Sequence, residues 1–339
     1  MELNIAVYNM EWMSRLFDKS GNLKTDAESK ERLEHLAEVV RLIDPDILGI
    51  VEGPDTTKDG SKTASAQVKK WANQYGLAAD YEAVHGFPSR GTQEIVALYK
   101  SSKVLLTHKP TVSQRKNPFD QPFVVDTNEE LVKEQYQHWR PPLELSVKPA
   151  AGGDEIARII VAHAKSKGIF DRVDFARYEQ LSKRNRRKLY AECTSIRERC
   201  DQWLRDKPER HVIVMGDIND GFGKDYYEQR FSRSAVELLL GEVWYPELIL
   251  KSVILEKPKV GKYGWTPSTT RFTDKVTNDT LNVLIDHIMV SQGITILDTT
   301  VWNPYDDLKP ESKDQRVKGI KAHLKKASDH FPVSVKITL

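Results

Sequence analysis

The 339-residue chain sets 51 Lys and Arg against 49 Asp and Glu, a formal net charge of +2, with 39% hydrophobic and 29% charged residues. That balance supports a sizeable core under a solvated surface and excludes wholesale disorder. No apolar run approaches the roughly 20 residues needed to span a bilayer, and a near-neutral charge neither announces nor excludes a local basic face for polyanions.

The chain starts Met-Glu-Leu-Asn-Ile-Ala-Val-Tyr, without the basic and apolar regions of a signal peptide. The alternation of Leu3, Ile5 and Val7 predicts a first strand. Apolar residues at helical spacing predict a helix over 28–43, stopped by Asp44-Pro45. A buried strand, 47–51, then ends at Glu52, and a second helix covers about 63–75 with Gly76 as its stop. Strands follow at 95–99, 143–147 and 156–162.

A long helix is predicted over 178–206, then strands at 212–215, 283–290 and 333–337. The stretches 108–140 and 257–280, rich in Pro, Thr, Asn and charge, read as long loops or insertions, and loops that long in compact domains are usually functional or mobile. Cys193 and Cys200 lie on one helical pattern, so their Cα atoms sit roughly 10 Å apart, too far for a disulfide. Reduced thiols and the missing export signal together point to the cytoplasm. Length suggests about two domains, but no repeat or low-complexity linker marks a boundary.

Val212-Ile-Val-Met-Gly-Asp-Ile-Asn219 is the sharpest segment: an apolar strand delivers Asp217 and Asn219 to one side of its end. Such a pair can hold a metal, orient a water or accept a proton, and is equally what a strand leaving the core through a polar turn would show. Asp329 and His330 precede the last strand, and Asp286 interrupts an apolar one, where a buried carboxylate requires a partner such as a histidine. His287 points to the opposite face and reads as an exposed or packed residue. His163 ends another strand, and Lys165 and Lys167 beside it make an anion site plausible. Glu52 and Asn9 end two further strands.

Singly each signal is weak, but six apolar strands all carry polar groups of catalytic type: Asn9, Glu52, His163, Asp217 with Asn219, Asp286, and Asp329 with His330. No Ser-centred elbow, CxxC pair, HExxH helix or phosphate-binding Gly-rich loop competes. Mostly oxygen donors favour Mg²⁺ or Mn²⁺ over zinc.

In these blocks the sequence resembles the endonuclease/exonuclease/phosphatase superfamily, the DNase I-like fold. The blocks are Tyr8-Asn-Met-Glu-Trp12, Asp46-Ile-Leu-Gly-Ile-Val-Glu52, Ile160-Val-Ala-His163, Gly216-Asp-Ile-Asn219, Leu284-Ile-Asp286 and Ser328-Asp-His330, in the family's order. Arg140-Pro-Pro-Leu143 and His163-Ala-Lys-Ser-Lys167 resemble the RPPL and HLKSK pattern of a bacterial branch. The resemblance implies an α/β (α+β) fold, a four-layer sandwich of two mixed sheets packed face to face and flanked by helices. It also implies one catalytic domain over 1–339, because blocks from both ends must meet.

The resemblance further implies roles. Glu52 would bind the divalent cation (one or two ions of Mg²⁺ or Mn²⁺), with Asn9 and Asp329 nearby. Asp217 would orient or deprotonate the attacking water, and Asn219 would hold that water or a phosphate oxygen. His330, oriented by Asp286, and His163 would hydrogen-bond the scissile phosphate. Arg140 and Lys165 match branch motifs and would contact anionic substrate, or equally serve as a structural arginine and a surface lysine. Tyr8 stands where many members have Trp, Val51 where Gln is common, and Ala164 where Leu is usual.

The expected activity is phosphodiester hydrolysis, with nucleic acid the default substrate. Basic runs at 177–188 and 309–326, the latter leading into Asp329-His330, would attract a polyanion unless they are merely solvated faces. Small organic, sugar or lipid phosphates are the alternative substrates, since fold does not set substrate. A non-catalytic scaffold would have lost Glu52, Asp217 or His330, and all are present. No protein partner is implied.

Overall fold

The computed structural model describes residues 1–112, 117–127, 133–169, 173–256, 268–273, 278–305 and 315–339. In the amino-terminal half, β1 (Glu2–Asn9) leads to helix α1 (Ala27–Ile43), β2 (Ile47–Gly53), α2 (Ala64–Gln74), β3 (Tyr81–His85), β4 (Glu94–Lys100) and β5 (Val104–His108). Short strands β6 (Phe123–Val125) and β7 (Glu134–Tyr136) precede β8 (Leu143–Pro149) and β9 (Ala157–His163). The long α3 (Phe175–Asp206) leads to β10 (His211–Asp217), α4 (Ala235–Leu240), β11 (Leu250–Ser252) and the single turn α5 (Val253–Glu256). The chain continues through β12 (Thr270–Thr273), β13 (Thr280–Val283), β14 (Asp286–Ser291), β15 (Thr295–Val301), α6 (Gln315–Ala327) and β16 (Val333–Thr338).

Twelve of these strands form two six-stranded mixed sheets, sheet I in the order β15-β16-β1-β2-β4-β3 and sheet II in the order β11-β14-β10-β9-β8-β5, while β6 with β7 and β12 with β13 form two-stranded ribbons. Leu3, Ile5 and Val7 face inward from β1 and pack with Ile159, Val161, Ile213, Met215, Ile288 and Val290 from sheet II. The opposite side of β1, Ala6 and Tyr8, packs with Leu33, Leu36 and Val40 of α1, Trp71 of α2 and Leu324 of α6. On the far side of sheet II, Ile160, Val212 and Val214 meet Leu189, Cys193, Ile196 and Cys200 of α3. The molecule is therefore a four-layer α/β sandwich. Central strands buried on both faces must be apolar throughout, which is why they read as continuous hydrophobic runs.

Local chemistry bounds the elements as the sequence suggests. Asp26 caps α1 by accepting from Ser29 N, and Asp44 ends it in the left-handed region before Pro45. Asp174 caps α3 through Arg177 N. Both cysteines are free and buried along α3. No described helix is long and apolar enough to cross a membrane.

Three expectations need correction. The stretch 108–140 is not simply loop: β6 pairs with β7, and Phe119, Val125 and His138 are buried. Most of 257–280 lies outside the described residues, but β12 pairs with β13 there. Finally, Asp286 does not interrupt a strand; it begins one, with 284 and 285 forming the break after β13.

Candidate active site

Register brings the polar strand ends together. In sheet II, Asp217 pairs with His163 across the parallel β9–β10 ladder and with Asp286 across the antiparallel β10–β14 ladder. In sheet I, Asn9 pairs with Val51 across β1–β2, so Glu52 lies one residue beyond it, and His330 precedes the strand that pairs with β1. Because the two sheets stack face to face, these ends meet in one cleft.

Two backbone features aim the groups. Gly216 is required by packing: a Cβ there would lie 1.9 Å from the Ala162 carbonyl oxygen of β9. At Glu52 the register between β2 and β4 shifts and the residue takes φ 57°. Such a bulge swings a side chain out of the alternation, and non-glycine residues held in this region collect at functional sites. Glu11, Trp12, Gln93 and Asn219 share it.

Asn9 sits at the centre. Its Nδ2 donates to Asp217 Oδ2 at 3.0 Å and lies 3.4 Å from both Glu52 Oε1 and His330 Nε2. Its Oδ1 accepts from Glu11 N. Glu52 Oε2 accepts from Trp12 N at 2.8 Å and from Gln93 Nε2 at 2.6 Å. His163 Nε2 lies 3.6 Å from Asp217 Oδ2 and 3.8 Å from Glu52 Oε1. His330 Nδ1 is held by Asp286 Oδ2 at 2.8 Å, and its Nε2 lies 3.9 Å from Asp217 Oδ2 and 4.0 Å from Asp329 Oδ1. Thr269 Oγ1 accepts from Asp286 N, and Ser328 Oγ ties His330 N to the Asn9 carbonyl.

Burial sets the protonation states. Asp217 is 2% exposed, and that desolvation, with the nearby Asp286 charge, pushes its pKa up to about 7. Burial alone would lower His330, but the Asp286 charge and hydrogen bond, with Asp217 and Asp329, hold it up at about 10. Burial, Arg140 and the His330 charge push His163 well below the usual histidine range. At neutral pH the cleft thus holds one imidazolium, one neutral imidazole and a carboxyl poised to take or give a proton.

Seven of the ten sequence candidates (Asn9, Glu52, His163, Asp217, Asp286, Asp329 and His330) converge in this way. Arg140 joins through a relay, since its Nη1 donates to Gln93 Oε1 at 2.6 Å while Gln93 Nε2 donates to Glu52. Asn219 lies past the strand end; its N donates to Asp217 Oδ1 and its Nδ2 to the Ala164 carbonyl. A turn, and not strand alternation, therefore positions it. The amide nitrogen of Lys165 donates to Glu192 Oε2, while burial and the Arg140 charge push its ammonium pKa down.

The anion site expected at Lys165 and Lys167 is not formed as a pair, because the Lys167 ammonium is consumed by Asp220 and Glu228. His287 is fully buried, with Nε2 at the Asp220 carbonyl oxygen. Gln93 and Glu11 went unread as site residues. Glu11 lies against Arg32 and accepts from Asp329 N, and burial followed by the Asp329 charge raises its pKa. Gln93 precedes β4, which runs antiparallel to β2, so at the cleft the polar residue comes before the strand instead of after it.

The donor set suits a hard divalent cation. Asp329 Oδ1 and Asp286 Oδ1 are buried and accept no hydrogen bond from any described residue, and oxygens dominate the cleft. Asp217, Asp286 and His330 also offer donor atoms within 4.8 Å of one another, a group that could hold a metal.

Comparison with known proteins agrees with this architecture. Residues 201–330 match the model of the Endonuclease/Exonuclease/phosphatase family. TDP2 of D. rerio, in complex with a single-strand DNA product, superposes with a TM-score of 0.53 at 12% identity, covering 100% of this chain and 99% of that one. The mannosyl-6-phosphatase Bt3783 of Bacteroides thetaiotaomicron superposes with a TM-score of 0.51 at 15% identity, covering 99% and 100%. An endonuclease/exonuclease/phosphatase family protein of the same species gives 0.52 at 16%, covering 99% and 95%. No curated protein matches the sequence. The chain thus shares its four-layer fold with these proteins and, over residues 201–330, is similar to the Endonuclease/Exonuclease/phosphatase family.

Proposed function

We propose that the chain acts as one catalytic domain, a divalent-cation-dependent phosphodiesterase in which water attacks phosphorus in line, with nucleic acid as the leading substrate. The observation that carries this reading is the convergence on Asn9 of Glu52, Asp217 and His330, with His330 held by Asp286.

Asp217 is the general base. A carboxyl titrating near 7 has the balance of availability and basicity that proton abstraction from water needs. Asn9 Nδ2 and Asn219 N hold its two oxygens in place. The His330 imidazolium, fixed through Nδ1, presents Nε2–H to the scissile phosphate and stabilises the charge gathering on its oxygens. His163, neutral, faces Glu52 and Asp217 through Nε2, and those acids favour the tautomer with its proton there. Arg140 steers Gln93, which in turn orients the Glu52 carboxylate.

Glu52, with Asn9 and Asp329 beside it, would hold the Mg²⁺ or Mn²⁺, which when bound supplies a positive charge for the phosphoryl oxygens. We prefer this position to the Asp217–Asp286–His330 group because the His330–Asp286 hydrogen bond already occupies two of those donors.

An exposed cation–aromatic pair on the rim, Arg15 over Trp12 at 4.3 Å, suits a nucleic-acid substrate. The basic run of α3 adds less than its composition suggests: Lys183 pairs with Glu179, Arg186 with Asp225, Arg187 with Glu134 and Lys188 with Glu192, which leaves Arg177 and Arg184 without an ion pair among the described residues. That pairing leaves phosphorylated sugars and other small phosphates as the second reading, in keeping with the mannosyl-6-phosphatase neighbour. A panel of plasmid DNA, RNA, bis(p-nitrophenyl) phosphate, phosphomonoesters and phospholipids, each with Mg²⁺, Mn²⁺ or EDTA, tests the reading. Metal-dependent diester hydrolysis lost in Asp217→Ala and His330→Ala is expected. Absence of any metal-supported hydrolysis would overturn the catalytic reading, and small-diester cleavage without nucleic-acid cleavage would overturn the nuclease.

A further inference from the structure

We propose that Arg271, Tyr305 and Lys325 form a second phosphate subsite on the His330 side of the cleft, taking the phosphate that neighbours the scissile one. This rests on the phosphodiesterase reading above and narrows the substrate to molecules carrying at least two phosphates.

The Arg271 guanidinium carbon lies 4.1 Å from the centroid of the Tyr305 ring, and Lys325 Nζ lies 4.7 Å from the same centroid. Neither cation forms an ion pair with any described residue. One aromatic face attracts a cation, but gathering two onto one ring sets like charges against each other. A carboxylate would normally relieve that repulsion. Here none of the described residues supplies one, so an incoming phosphate oxygen is the natural counter-charge.

The group is built into the rim and not left to a loose loop. Tyr305 N donates to Asn303 Oδ1, and Asn303, 1% exposed, is fixed by the Ser268 carbonyl and hydroxyl. The Tyr305 ring packs 5.9 Å from Phe331, the residue after His330. Arg271 N donates to the Asp329 carbonyl, and Thr270 bridges to His330 itself. On α3, by contrast, Lys183, Arg186, Arg187 and Lys188 are each paired with an acid, whereas these two cations, one of them drawn from a hairpin with no basic run, are paired with none of the described residues.

A second phosphate arises either from the next linkage of a single-stranded nucleic acid or from a small bisphosphate, and separate arms distinguish them. Binding of a fluorescent single-stranded oligothymidylate and of thymidine 3′,5′-bisphosphate is measured in an Asp217→Ala background, where nothing is cleaved. The paired change Arg271→Gln with Lys325→Gln is expected to weaken the source ligand about ten-fold. For the oligonucleotide it also lowers the slope of log affinity against log salt by roughly 1.4, as for two lost single-strand contacts. With Asp217 restored, kcat/KM on that ligand is expected to fall about ten-fold relative to kcat/KM on bis(p-nitrophenyl) phosphate, which has one phosphate.

Tyr305→Leu should show the same selective loss and Tyr305→Phe should not, because the ring and not its hydroxyl gathers the cations. Loss on the bisphosphate with no oligonucleotide binding assigns the small-molecule source. Equal losses on one- and two-phosphate substrates, or unchanged binding of both probes, would overturn the subsite. A protein that hydrolyses no phosphoester yet shows the Arg271- and Lys325-dependent binding would keep the subsite and remove the catalytic reading.

Discussion

Sheet I brings Asn9, Glu52 and the Asp329–His330 turn to the cleft, while sheet II brings His163, Asp217 and Asp286. On the sheet I side the Glu52 and Asp329 carboxylates remain partly open to solvent, and His330 reaches across to Asp286. On the sheet II side all three groups are almost wholly buried, and burial shifts Asp217 and His163. In the mechanism proposed above, the first side would take the hydrated cation and the second the proton transfer. The physical reason is solvent access: a carboxylate that keeps its charge must see water or a cation, whereas a desolvated one is driven toward neutrality.

The comparison breaks most completely at Gly216. Alanine there would push Cβ into the Ala162 carbonyl and separate β10 from β9, so Gly216→Ala should cost more than about 4 kcal/mol and leave little folded protein in thermal denaturation. Next, Asp217→Asn should lower kcat about 10²–10⁴-fold with little change in KM, measured by steady-state kinetics on a diester substrate. Its melting temperature should hold or rise, since a desolvated acid near other acids is removed.

Asp286→Asn tests the contact between the sheets. Without that charge the folded pKa of His330 falls from about 10, so the alkaline limb of the rate profile should move to lower pH as kcat drops about a hundred-fold. Stability in metal-free buffer carries its own sign. Asp217 and His330 are both raised on folding, so their contribution is fully present below the unfolded pKa. It is lost as pH rises through about 4 to 7 for Asp217 and 6.5 to 10 for His330. Denaturant titrations should show stability falling over that window, with a flatter lower half in Asp217→Asn.

A smaller effect is expected on the sheet I side. Gln93→Leu removes one of the two donors to Glu52 Oε2, leaving Trp12 N, and should weaken Mn²⁺ binding about ten-fold by calorimetry, since groups that orient ligands typically act at that scale. Smallest is Lys183→Gln on α3, an exposed pair with Glu179, which should change stability by less than about 0.5 kcal/mol and leave oligonucleotide affinity unaltered.

Much of the site was legible because chemistry and periodicity coincide there. Asn9, Glu52, His163 and Asp217 all follow apolar runs, and a polar residue at the end of a buried strand stands out from its neighbours. Gln93 was not legible by that rule, since β4 reaches the cleft with its beginning and not its end. Glu11 sat inside a recognised block, but only folding shows that it meets Arg32 and the Asp329 amide. The basic run of α3 is weaker than its composition for the opposite reason: composition counts charges, whereas Arg186 and Arg187 are matched by Asp225 and Glu134 from distant segments.

The sequence by itself determined the alternation of strands and helices, the residue types of a phosphoester site and the absence of a disulfide between Cys193 and Cys200. These follow from spacing, patterning and side-chain chemistry along the chain. Only the tertiary structure decided which cations remain without acids, which carboxyl lies deep enough to titrate near 7, and that Gln93 couples Arg140 to Glu52. Desolvation and pairing depend on what arrives from the other side of the fold. A net charge of +2, which on the page looked uniform, is in space a partly buried acidic cleft beside two cations gathered on one tyrosine.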